Sequence, residues 1–139
     1  MNKDSNHSLM EISYVSKATQ EIGLAALVKL FDEAFKWNQE HGLTGVLFYE
    51  NGYFSQILEG HQDNIILVWE RISRDYRHFV LRQLTHQPIS ERAFPKWSLR
   101  FYGGEQIAKD IPYLKGVLDG MPDHDIELLK IMRMMAQGK

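Results

Sequence analysis

The dipeptide Asn51-Gly52 constrains this chain more than any other feature, because it lies between two apolar, alternating runs. Both residues tolerate the positive φ of a type I′ turn, so the pattern predicts two antiparallel strands, Thr44–Tyr49 and Tyr53–Glu59. Strand side chains alternate, which puts Phe54, Gln56 and Leu58 on one face and Tyr53, Ser55, Ile57 and Glu59 on the other. Gln56 is therefore an amide held between two large apolar side chains. Left unmet when buried, its donors and acceptor cost roughly 1–3 kcal/mol. A polar partner is expected opposite it: a water, another side chain or a ligand.

The remaining periodicity supplies the elements around this hairpin. Met10–Ser16 reads as a first strand with Met10, Ile12 and Tyr14 on one face. An amphipathic helix follows from Gln20 to His41, with Leu24, Leu27, Val28, Leu30, Phe31, Ala34 and Phe35 at three- and four-residue spacing, and Gly42 stops it. A second helix is predicted over Gln62–Arg77 from the stripe Ile65, Ile66, Val68, Trp69 and Ile72, and Phe79–Ile89 and Trp97–Tyr102 read as two more strands. The order βαββαββ is an α+β, ferredoxin-like arrangement with an added strand: a five-stranded mixed sheet carrying both helices on one face. The other face, with Ser13, Val15, Ile57 and Tyr102, then needs cover. Pro112 and Pro122 punctuate residues 105–139 into two helices, and the stripe through Ile126, Leu129, Met132 and Met135 suits that task. Residues 1–8 read as a polar tail, 9–104 as one domain and 105–139 as a helical extension.

Composition removes several functional classes. The formal net charge of −2 argues against a nucleic-acid surface, which needs a dense Lys/Arg patch. With no cysteine there is no thiolate nucleophile, disulfide or cysteine-held metal. The six histidines show no HxH or HExxH spacing, so no metal site is expected. P-loop, Gly-x-Ser-x-Gly and Rossmann motifs are missing. No apolar run reaches the roughly 20 residues that span a bilayer. The N-terminus lacks a signal-peptide core, and a cytoplasmic protein with no membrane or nucleic-acid partner is expected.

Four places carry polarity where the pattern is apolar. Tyr14 and Gln56 share a face if the first and third strands are neighbours, and a plain buried Tyr–Gln hydrogen bond would satisfy both. Asn38 lies on the inner stripe of the first helix, one turn beyond Ala34; a frayed helix end would also explain it. Arg71, Asp75, Arg77 and His78 close the second helix, where cations suit the negative end of the helix dipole.

In this order the motifs resemble the BLUF family, sensors of blue light using FAD. The match runs through Tyr14-Val15-Ser16, Asn38 with Gly42-Leu43-Thr44-Gly45, Phe54-Ser55-Gln56-Ile57-Leu58-Glu59-Gly60, Arg71 to His78, and Pro88-Ile89 with Phe94-Pro95-Lys96-Trp97-Ser98. The resemblance implies non-covalent FAD, with FMN or riboflavin as substitutes, between the two helices. Tyr14 would be the light-driven electron and proton donor, and Gln56 the amide that bridges it to the flavin and rearranges. Trp97 is a further photoactive candidate. Asn38 would hold the ring's carbonyl edge, Leu30, Phe31, Ala34, Phe54, Leu58 and Ile72 its walls, and Arg71, Asp75, Arg77 and His78 the second-helix side. Two positions depart from the family: Leu99, where methionine is usual, and Trp37, where a second polar pocket residue is common. The implied protein is not an enzyme but a photoreceptor that signals to a partner protein in trans or through a homo-oligomer. A flavin-free ferredoxin-like interaction module is the alternative. A small flavin enzyme is a third reading, but it would need an acid/base cluster that the sequence lacks.

Overall fold

The computed structural model describes residues 8–50 and 52–103. Strand β1 spans Leu9–Ala18, helix α1 Leu24–Glu40, β2 Thr44–Glu50, β3 Tyr53–His61, helix α2 Gln62–Arg74, β4 His78–Pro88 and β5 Arg100–Gly103. The strands form one sheet in the order β4-β1-β3-β2-β5, all pairs antiparallel except β2–β5. This is the expected βαββαββ order and mixed sheet.

The hairpin forms as its turn chemistry dictates. Glu50 pairs with Tyr53, Gly52 takes φ 89°, and its carbonyl accepts the Ala18 N–H at 2.8 Å, which ties the turn to β1. Gly45 has a different reason to be glycine. A Cβ there would lie 2.0 Å from the Ile57 carbonyl oxygen, so any side chain would force β2 away from β3.

Three boundaries differ from the sequence reading by three residues or more, each because another hydrogen bond competes with the local preference. Helix α1 starts at Leu24 rather than Gln20. Thr19 is bound to the α2–β4 turn through its N–H on the Arg77 carbonyl (2.9 Å) and its hydroxyl on the Tyr76 carbonyl (2.9 Å), keeping the chain out of the helix up to Gly23. Helix α2 stops at Arg74 because the Asp75 carboxylate accepts the Arg77 N–H at 2.9 Å, an Asx-type turn that offers the backbone an alternative to another helical turn. Strand β5 begins at Arg100, not Trp97, because the Trp97 and Ser98 carbonyls accept from the Gly45 N–H (3.0 Å) and the Asn38 amide (2.9 Å).

The main core lies between the sheet and the helices, around Ile12, Leu43, Leu47, Phe54, Leu58, Ile65, Val68 and Leu99. On the opposite face Ser13, Val15, Val46, Phe48 and Ile57 are buried too. The C-terminal helices expected there fall outside the described residues.

Candidate functional site

A cleft opens between α1 and α2 over the centre of the sheet. Its floor is Tyr14 from β1, Leu47 from β2, and Phe54, Gln56 and Leu58 from β3. Helix α1 contributes Leu30, Glu33, Ala34, Trp37 and Asn38; α2 and the turn after it contribute Val68, Arg71, Ile72, Asp75, Arg77 and His78. The structure thus gathers twelve of the thirteen residues nominated as cofactor contacts. Phe31 is the exception: it packs edge-on to Phe101 at 5.8 Å and beside Phe35 at 6.2 Å. Trp97 also stands apart from the cleft, stacked on Phe94 with the Arg100 guanidinium 4.5 Å from its ring centre. Leu99, two residues on, is the side chain that enters the core.

Sequence reasoning left Glu33, Leu47 and Val68 out of the lining; Trp37, read as standing at a pocket position, is part of it. Leu47 was within reach, since a two-residue turn at 51–52 sets Leu47 opposite Gln56, the pairing observed. Val68 lies one turn before Ile72 on the same stripe. Glu33 owes its place to Arg77, which it meets at 3.2 Å, and nothing local announces that pair.

Tyr14 and Gln56 face each other across β1 and β3, and the Tyr14 hydroxyl donates to Gln56 Oε1. Both are almost fully buried, at 4% and 5% exposure. Burial, reinforced by the negative charge of Asp75, pushes the Tyr14 phenol well above its ordinary range, so the proton stays on it at neutral pH. Its ring is flanked by Trp69 at 5.6 Å and His78 at 6.2 Å. His78 is fixed at both ends. Its Nε2 lies 2.8 Å from the Ile72 carbonyl and must donate to it, and its Nδ1 in the neutral ring accepts from the Ser16 hydroxyl at 2.7 Å. Asn38, 2% exposed, donates Nδ2 to the Ser98 carbonyl.

At the mouth, Arg77 bonds Asp75 through Nε and Nη2 and Glu33 through Nη1. The Arg77 guanidinium holds the Asp75 carboxyl below its usual range, and the pairing pushes Arg77 higher still. Trp37 stacks on His41 at 3.6 Å and carries the Arg71 guanidinium 5.4 Å from its ring centre. No cluster of metal-ligating side chains occurs among the described residues.

These groups fit a planar heteroaromatic ring with a polar edge. Apolar side chains from the sheet and both helices line much of the cleft, and a polar group on its floor is left incomplete. Among the described residues no group accepts from Gln56 Nε2, although the side chain is buried on the cleft floor. A buried amide donor without a partner is expensive, and a ring nitrogen or carbonyl is the acceptor it lacks.

Fold and cleft together define a small α+β ligand-binding module. The chain belongs to the BLUF family, described as sensors of blue light using FAD, whose family model matches residues 9–100. It is similar to the photoactivated adenylate cyclase subunit beta of Euglena longa, 34% identical over 112 residues, a stretch that covers 80% of this chain but 13% of that protein. Among solved structures it resembles BlrB, a BLUF protein in its dark state, with a TM-score of 0.80 and 26% identity over 93% of this chain and 98% of that one. It also resembles a bacterial light-regulated adenylyl cyclase, with a TM-score of 0.72 and 25% identity over 94% of this chain and 40% of that one. The chain therefore spans about an eighth of the first of these relatives. No helix among the described residues is long and apolar enough to cross a membrane.

Proposed function

We propose that this blue-light sensor switches through the Tyr14–Gln56 pair, with Tyr14 as electron and proton donor and Gln56 as the amide that rearranges. One observation carries the reading: the buried Gln56 amide has its oxygen on the Tyr14 hydroxyl and, among the described residues, no acceptor for its nitrogen. When bound, the flavin absorbs blue light and becomes a strong oxidant. Tyr14, kept protonated by burial, has both an electron and a proton to give, and Gln56 Oε1 is the first acceptor on the proton's path. The terminal torsion of a glutamine is soft, so the Gln56 amide can turn while the tyrosine bond is broken. Return of the electron and proton to Tyr14 then leaves the amide in a new arrangement. Asn38 orients the ring with an amide that Ser98 already holds. Arg71 and the Glu33–Arg77–Asp75 network flank the mouth, where the polar tail of the cofactor would leave.

The chain itself catalyses no reaction in this reading. Its output passes to a separate partner protein or to a second copy, with residues 105–139 as the transmitter. The amphipathic stripe through Ile126, Leu129, Met132 and Met135 supports that assignment. The test is the absorption spectrum of purified, FAD-loaded protein before and after blue light. A modest red shift that reverses in darkness is expected, and a spectrum unchanged by illumination sinks the proposal.

A further inference from the structure

Gln56 and Glu59 lie on one strand, three residues apart and on opposite faces of the sheet. Glu59 is 1% exposed, yet its carboxylate serves no function derived so far. It accepts the backbone N–H of Ala93 at 2.7 Å, the backbone N–H of Phe94 at 3.0 Å and the Thr44 hydroxyl at 3.2 Å. Arg92 closes the same corner by donating to Thr44 Oγ1 at 3.0 Å and to the Glu59 carbonyl at 3.3 Å. The carboxylate thus pins the start of the β4–β5 connection onto β3.

That connection runs directly back to the cleft. Phe94, 2% exposed, stacks on Trp97 and accepts its N–H at 3.4 Å. The next carbonyl, that of Ser98, receives the Asn38 amide. Residues 93–98 are therefore held at one end by Glu59 and at the other by a cleft residue on α1. An acid that merely filled space would not be buried beside a second acid, and Glu11 is its direct cross-strand partner.

We propose that Glu59 is a positioning residue for the photocycle: its carboxylate fixes segment 93–98, so that the Ser98 carbonyl holds the Asn38 amide in place against the flavin. The proposal rests on the photoreceptor reading. Displacing the segment frees the Asn38 amide to turn, which alters the hydrogen bonds that distinguish the dark state from the red-shifted one. The bond from Glu59 to the segment is thereby felt at the opposite face of the sheet.

The test compares full-length, FAD-bound wild type with Glu59→Ala, Glu59→Gln and the control Glu11→Gln, by two readouts. The Asn38 side-chain NH2 resonances, recorded in darkness, report the position of Asn38 without any photochemistry. The dark-recovery rate of the red-shifted state reports the photocycle. Glu59→Ala is expected to move the Asn38 resonances and change recovery about tenfold. Glu59→Gln, which keeps one acceptor for the two N–H groups, should fall between it and wild type; if the alanine variant does not fold, the glutamine variant decides. Glu11→Gln removes a carboxylate from the same face and should leave both readouts near wild type. Unmoved Asn38 resonances, or recovery within about twofold of wild type in a folded Glu59 variant, overturn the proposal. So does an equal effect from Glu11→Gln, because charge rather than the latch would then be the cause. Failure of the photoreceptor reading looks different: wild type itself shows no red shift, and the resonances alone then decide the role of Glu59.

Discussion

Gln56 and Glu59 are both polar side chains buried in the middle of β3, and the protein treats them in opposite ways. Three donors from two other segments converge on the Glu59 carboxylate. Burial holds that carboxyl above its usual range, and the Ala93 and Phe94 N–H groups and the Thr44 hydroxyl offset only part of the rise. Among the described residues Gln56 has Tyr14 alone as side-chain partner, and its nitrogen meets no acceptor on the floor of the cleft. On the proposed function, the difference separates a fold-holding polar group from a ligand-reading one. Where the chain completes a buried group's hydrogen bonds, the group serves the architecture. Where it leaves one open beside a cleft, the missing partner comes from outside.

The sharpest way to break this comparison is at the open group. Tyr14→Phe and Gln56→Leu should both retain FAD, because each preserves the apolar packing, but the yield of the red-shifted state should fall by at least about a hundredfold, the loss of a barrier advantage near 2.7 kcal/mol. Transient absorption measures the yield, and a normal red shift in either variant would place the switch elsewhere. A second test removes the closed group in the flavin-free protein. Glu59→Leu should lower unfolding stability by roughly 3 kcal/mol, since it orphans two backbone N–H groups at once. Gln56→Leu made in a Tyr14→Phe background should be neutral or stabilising, because both partners of one bond become apolar together. Denaturant titrations decide it, and equal losses in the two experiments would erase the distinction. Asn38→Ala lies between the extremes. It removes the bond to Ser98 and an amide on the cleft wall, and should weaken FAD binding roughly tenfold by fluorescence titration.

The smallest expected effect is at the mouth of the cleft. Hydrogen bonds from Arg77 hold the Asp75 pKa below its unfolded value, so their contribution to stability is complete above that value. It is lost as pH falls through the lower folded-state value, below about pH 4. Arg77→Gln should therefore lower stability slightly at neutral pH and flatten the acid limb of the stability curve. Both groups are partly exposed, and salt should mute the effect.

Much of this arrangement was legible in the chain. The Asn51-Gly52 turn and the alternation around it are local signals, and they carry the register that sets Leu47 and Phe54 around Gln56. Helical stripes located Leu30, Ala34, Asn38 and Ile72 because a ligand cleft between two helices uses the same inward faces as a core. The start of α1 and the end of α2 were missed because Thr19 and Asp75 make bonds that compete with helix, and the partners of Thr19 lie far along the chain. The partners of Glu59 were invisible for a related reason: backbone N–H groups in an irregular connection leave no mark on residue type. Trp97 was singled out as photoactive on the resemblance alone, and only the path of residues 93–99 stacks its ring on Phe94 while sending Leu99 inward.

The direct pairing of β1 with β3 has a consequence for how the protein is made. Tyr14 and Gln56 are 42 residues apart, and their strands meet at the centre of the sheet. The β2–β3 hairpin closes over a short turn and forms cheaply, whereas docking of β1 must overcome the entropy of a much longer loop. The Tyr14–Gln56 pair therefore comes into being with the slow, long-range step of folding. Because β1 lies between β3 and β4, a one-residue slip there would turn Tyr14 away from the helices. A newly made chain has no cleft to offer its chromophore until the N-terminal strand is seated in register, so maturation and quality control coincide in a single event.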